Sequence, residues 1–264
     1  MKRLYRDLQI VFSPYFIFIL LMFSVIIACG NAANLLPTDT IGNMLINEFG
    51  GCIWAEENEL GAVMSWFLNY LPSGIAVSIY LHYKVHGMLS MEGYRHRHTI
   101  RWYASLMLHC LIIVLSVVIM QVCCSVLLAF LNGHRGLTIW IQDADGFTIA
   151  SDIQPRLAPI LFFLYDMIVV LSAVIAYLAF HRMTFFYYVF ILPSLVAAML
   201  FYKPFEINLV HLVNHGMACR LSVEGEFGIP VHQAIRSLVT TLVMVGVGGG
   251  FYCRFIAPYD KKFE

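Results

Sequence analysis

Leu81-His82-Tyr83-Lys84-Val85-His86-Gly87-Met88-Leu89-Ser90-Met91-Glu92-Gly93-Tyr94-Arg95-His96-Arg97-His98-Thr99-Ile100-Arg101-Trp102 is the longest basic, polar interval between two apolar runs that could each cross a bilayer. It reads as a loop at one membrane face, and the rest of the chain is oriented by it. Hydrophobic residues make up 60% of the sequence and charged residues only 12%, with a mean hydropathy of +0.78. Soluble domains run at roughly 45 to 50% apolar and about 25% charged, so this composition specifies an integral membrane protein. No polar interval is long enough for a separate soluble module, and residues 1-264 read as a single transmembrane domain.

Hydropathy predicts six helical spans, at about 12-33, 62-81, 102-130, 157-180, 183-202 and 231-256, and hence an all-α fold with both termini on one side. Pro14 suits the first turn of span one, where its missing N–H has no partner to lose. Pro72 lies inside span two and predicts a kink near Leu71. Trp102 and Tyr103 open span three, where interfacial aromatics belong. Three intervals between spans are polar. The first, 34-61, carries Glu48 among its acids and has room for a short surface helix between Ile41 and Trp54. The second, 131-156, holds Asn132-Gly133 and Asp145-Gly146, which favour turns. The third, 203-230, has an apolar middle.

Charge supplies the orientation. The face holding the termini carries Lys2, Arg3, Arg6, Lys84, Arg95, Arg97, Arg101, Arg182, Arg254, Lys261 and Lys262, and the other face only Arg135, Arg156, Lys203, Arg220 and Arg236. By the positive-inside rule, both termini and the opening loop are cytoplasmic. Eleven of the sixteen acids fall in the three outer intervals, which agrees.

Few residues suggest chemistry. Gly246-Val247-Gly248-Gly249-Gly250 lacks the Lys-Ser/Thr of a phosphate loop. Gly246 and Gly250, four apart, instead suit close helix packing, within the chain or between subunits. His82/His86 and His211/His215 have the spacing of metal ligands, but the bilayer separates the two pairs and neither has a neighbouring Glu. No metal site is expected, although a membrane enzyme using His82, His86, His96 and His98 is a competing reading. Asp166 is the carboxylate that falls within a span, which makes it a candidate for a translocation path. Cys29, Cys110, Cys123, Cys124 and Cys253 sit in or at the ends of spans. Cys52 and Cys219 both lie in outer intervals and are the pair with access to an oxidising compartment.

The segment Glu92-Gly93-Tyr94-Arg95-His96-Arg97-His98-Thr99-Ile100-Arg101-Trp102, after a Pro-containing second span, resembles ABC-2 type permeases. The closest likeness is to the small six-span kind linked to export of, or immunity to, bacteriocin- or lantibiotic-like peptides. The ending Cys253-Arg254-Phe255-Ile256-Ala257-Pro258-Tyr259-Asp260 is similar to theirs. The resemblance implies the transport subunit of an exporter in the bacterial cytoplasmic membrane, with no covalent chemistry or cofactor of its own. ATP and Mg would be bound by a separate ATPase chain in two copies, and a second permease subunit would complete the path. The opening stretch would then meet the ATPase through an apolar side (Met88, Leu89, Met91, Tyr94) and a basic side (Arg95, Arg97, Arg101), next to Trp102. A non-transporting membrane partner or sensor subunit is the other reading. Nothing in the charge balance points to nucleic acid.

Overall fold

The computed structural model describes residues 9, 12–33, 35–37, 39–51, 66–86, 100–142, 148–151, 155–180, 212–218, 221–222 and 229–256. It is mostly helical, and four of its helices are long and apolar enough to cross a membrane. In chain order these are α1 (Pro14–Ala32), α4 (Ile100–Leu131), α5 (Leu157–Phe180) and α7 (Val231–Phe251), the last continued by a π-helical turn, Tyr252–Ile256. Between them stand α2 (Ile41–Phe49), α3 (Leu71–His86) and the four-residue α6 (Leu212–His215). The expected spans at 12-33, 102-130, 157-180 and 231-256 thus coincide with helices to within a few residues. Span five, 183-202, both chain ends and most of the opening loop lie outside the described residues.

Each helix follows from local chemistry. In α1, Pro14 occupies the first turn and the helix then runs through uninterrupted apolar sequence. At α2, the Thr40 side chain caps the helix by accepting from the Asn43 N–H. Pro72 does more than kink span two. Asn69 and Tyr70 form a break, with i→i−3 bonds from Asn69 N to Trp66 O (3.2 Å) and Tyr70 N to Phe67 O (3.1 Å), and α3 starts afresh with Pro72 in its first turn. A proline one residue into a new helix removes no bond that the helix needs, so breaking is cheaper than bending here.

Three sequence expectations change. The helix expected on the surface between Ile41 and Trp54 is buried: Asn43, Met44, Leu45, Ile46, Glu48 and Phe49 are all enclosed by α1, α4 and α5. The second outer interval forms a short β-hairpin, β1 (Ile139–Gln142) paired antiparallel with β2 (Thr148–Ser151), within a fold that is mostly helical. A two-residue parallel bridge joins β3 (Leu221–Ser222) to β4 (Ile229–Pro230). Tyr103, expected at the membrane interface, is buried at 2% exposure against α7.

The three outer intervals meet at one end of the bundle. Thr40 Oγ1 donates to Thr138 O (2.5 Å), His134 Nδ1 donates to Asp39 O (2.8 Å), and Gly51 packs on Met217. Residues of all three polar intervals thus lie at the same end of the bundle. The core is centred on α5, which buries 72% of its spanning window, against 39% for α4, 28% for α1 and 17% for α7.

The approach of α7 to its neighbours depends on glycine. A Cβ on Gly249 would lie 2.0 Å from the Tyr103 hydroxyl and 2.8 Å from Ile175 Cδ1, whereas Gly248 has open space. Gly246 and Gly250 also face α4, at Met107 and Tyr103, less tightly than Gly249. Gly249→Ala should therefore lower the thermal midpoint of the purified protein by several degrees, consistent with about 1–3 kcal/mol of overpacking. Gly248→Ala should leave it within about a degree or raise it slightly.

Candidate functional site

The break before α3 organises a buried polar cluster. Breaking the helix frees the Asn69 carbonyl, and Gln121 of α4 supplies the missing donor through Nε2 (2.9 Å). Asn69 in turn donates its side-chain amide to Glu48 O, and the Trp66 indole N–H donates to Phe49 O (3.1 Å), so the frayed end of α2 is closed by residues flanking the break. Irregular backbone at membrane depth survives only where other protein satisfies it in this way.

Glu48 sits at the centre of this cluster with no accessible surface. Ser125 of α4 donates its hydroxyl to one carboxylate oxygen, and the Asn31 side chain of α1 lies beside the carboxyl without completing a bond to it. Burial pushes the carboxyl up to about 8 from an ordinary 4.5, against the smaller pull of Ser125 and then Asn31 in the other direction. The sequence did not single out Glu48, because an acid in a polar interval reads as solvated. The available signal was its company: Ile41, Met44, Leu45, Ile46 and Phe49 are too apolar for a helix lying on a surface.

The structure places Asp166 of α5 deep in the bundle, at 1% exposure, where Ser73 of α3 donates to Oδ2 (2.5 Å). The same region is packed by aromatic rings: Tyr70 stacks on Phe162 at 4.2 Å between centroids, and Trp66 stacks on Tyr165 at 5.8 Å. Asn69 and Ser73, four residues apart across the start of α3, thus reach the backbone of Glu48 and the carboxyl of Asp166 respectively. His109, in the third turn of α4, donates Nδ1–H to the Ser105 carbonyl and stacks on Tyr80.

A second site faces outward. On α7, His232, Arg236, Thr240 and Met244 recur every four residues, as do Gln233, Ser237 and Thr241 beside them. Together with Leu212 and His215 they line an open groove of about 770 Å³. The sequence reading counted Arg236 only toward the charge balance. Its four-residue periodicity with His232 and Thr240 in an otherwise apolar span was the visible clue.

The remaining candidates fall differently. Arg101 and Trp102 open α4, with Arg101 exposed and Trp102 half-buried against the core. Met88, Leu89, Met91, Tyr94, Arg95 and Arg97 lie outside the described residues. So do His96, His98, His211, Cys52 and Cys219, as do the side chains of His86 and its neighbours. Among the described residues no group of three His, Cys, Asp or Glu could hold a metal ion.

These features define a multi-helical membrane protein with an enclosed acid cluster and an open polar groove. No family model, curated protein or solved structure matches the chain.

Two outcomes follow. Because the Glu48 carboxyl holds its proton more tightly in the folded state than at its ordinary 4.5, folding is favoured below that value and loses stability as pH rises toward about 8. Thermal midpoints should fall over that window, and Glu48→Gln should flatten the profile; an unchanged profile would dissociate the trend from Glu48. The other concerns the outer cysteines. Gly51, at a φ of +82°, packs on Met217, so the residue before Cys52 meets the residue two before Cys219. Both thiols should resist alkylation until reductant is added, and equal labelling without reductant would exclude a bridge.

Proposed function

We propose that this chain is the membrane-spanning permease subunit of an ABC exporter in the bacterial cytoplasmic membrane, with six spans and both termini cytoplasmic. The observation that carries the transport reading is the polar stripe of α7. Arg236 stands in the second turn of α7, and Gln233, Ser237, Thr240 and Thr241 carry polarity along the same side toward the middle of the helix, where groups facing hydrocarbon are costly. Such a face belongs against water or protein, and the groove along it is large enough for part of an amphipathic peptide. Arg236 and His232 suit a carboxylate or another acidic group on the cargo.

In this reading a second permease subunit faces the open side of α7, and the path runs between the two. The drive comes from two copies of an ATPase chain, which bind ATP and Mg and push on the cytoplasmic segment containing Arg95, Arg97 and Arg101. The ABC assignment rests on the resemblance of that segment and of the chain's ending. Its neighbourhood also suits anionic lipid head groups. The path is assigned to α7 rather than to Asp166, because Asp166 is enclosed and bonded to Ser73 while Arg236 is exposed on the groove.

The test uses the permease purified with the ATPase chain that co-purifies with it, and uptake of a fluorescent amphipathic peptide by inside-out vesicles. Arg236→Gln should lower uptake about tenfold, equivalent to about 1.4 kcal/mol, without loss of the ATPase. Asp166→Asn should keep uptake near that of the parent. Arg97→Glu with Arg101→Glu should lose the ATPase and uncouple hydrolysis from uptake. If the double variant retains its ATPase and transports normally, the coupling role fails; if Arg236→Gln transports normally, the path assignment fails.

A further inference from the structure

The cluster around Glu48 contains more hydrogen-bond acceptors than donors. Asn69 and Gln121 are each oriented by the bond they give: Asn69 donates Nδ2 to Glu48 O, and Gln121 donates Nε2 to Asn69 O. Since only the nitrogen end of a side-chain amide can donate, these bonds settle which atom is which. Asn69 Oδ1 and Gln121 Oε1 are therefore left over as acceptors, fully buried and without a partner, and so is Glu48 Oε1. The Ser125 hydroxyl has one hydrogen and two acceptors within reach, Glu48 Oε2 and the Gln121 backbone carbonyl at 2.8 Å. One donor is left over in the same place, Asn31 Nδ2.

The groups facing Glu48 come from every element packed on it. Asn31 comes from α1, Asn69 from the break before α3, and Gln121, Ser125 and the Cys124 thiol from α4, while α5 presents the Phe162 ring to α2. No cationic side chain among the described residues pairs with the carboxylate. Protonating Glu48 would supply one donor and leave the amide oxygens bare. A hard cation bound among these oxygens would answer the shortage of donors, and one negative charge among neutral oxygens matches a single positive charge rather than two.

We propose that Glu48, Asn69 and Gln121 form a buried site for a desolvated monovalent cation of sodium's size, with Ser125 holding the carboxylate in place. The ion competes with a proton for the same carboxylate. It fastens α2, the break before α3 and α4 together, independently of what the α7 groove carries.

The experiment measures thermal unfolding of the full-length protein in detergent, in sodium chloride or choline chloride at equal ionic strength. At about pH 9, where the carboxyl is free of its proton, sodium should raise the midpoint by several degrees over choline. At about pH 6 the difference should shrink, because the proton occupies the site. Glu48→Gln should abolish the sodium increment. Should that variant fail to fold, equilibrium dialysis of the unaltered protein against radioactive sodium decides: retention of about one ion per chain, lost on acidification, supports the site. A midpoint that follows pH but ignores sodium means a proton alone and overturns the proposal. An equal sodium increment in Glu48→Gln overturns it as well, as does the absence of retained sodium.

Discussion

A backbone carbonyl inside a membrane must find a donor, and most of the enclosed half of this molecule follows from one that lost its helical partner. The break at Asn69 and Tyr70 leaves the Asn69 carbonyl to Gln121, commits the Asn69 side chain to α2, and sends the Trp66 indole to the end of that same helix. A net hydrogen bond is worth only about 0.5–1.5 kcal/mol, but leaving such a group buried and unpaired costs about 1–3 kcal/mol. Three such groups are closed within one turn of chain. The position of α2 inside the bundle, rather than on it, is the geometric result.

That position explains why two buried acids coexist in one small bundle. Asn69 and Ser73, four residues apart, bond the Glu48 backbone and the Asp166 carboxyl, so the same short stretch that repairs the break anchors the helix of one acid and the side chain of the other, while Ser125 of α4 takes the Glu48 carboxyl. Aromatic rings from Trp66, Tyr70, Phe162 and Tyr165 fill the space around this stretch and keep water from relieving either acid. Polarity in this half is enclosed, and several of its acceptors are left without a donor. On α7 it is open, spread along one face, and faces outward.

The long helices were legible in the sequence because bilayer thickness and hydropathy together determine them: Phe12 to Ala33, Trp102 to Phe130, Leu157 to Phe180 and Val231 to Ile256 are continuous apolar runs bounded by polar residues. Pro72 was legible as a disturbance but not as a clean break, since the choice depends on whether neighbours accept the freed groups, and Gln121 lies 49 positions further along the chain. Glu48 and Tyr103 were misplaced for the same reason. An acid in a polar interval and a tyrosine at a span boundary each have a sensible solvated reading, and only contacts with distant residues, Ser125 and Gly249, reverse it. Among four clustered glycines, spacing pointed to Gly246 and Gly250, yet the tightest approach is at Gly249, because helix rotation rather than spacing decides which glycine meets Tyr103.

The unequal burial of the spans bears on how the protein comes to be in the membrane at all. With a mean hydropathy of 1.5 against 2.9 for α4, and only 17% of its window covered, α7 is the segment that lipid accepts least readily on its own. Its polar face gains little from partitioning, and its firmest attachment is to α5, through Ile175 and neighbouring residues, and to Tyr103 of α4. Integration during synthesis is therefore ordered by chemistry as well as by sequence. The earlier, more apolar helices can enter the bilayer independently, whereas the last one is held by a bundle that must already be there to receive it.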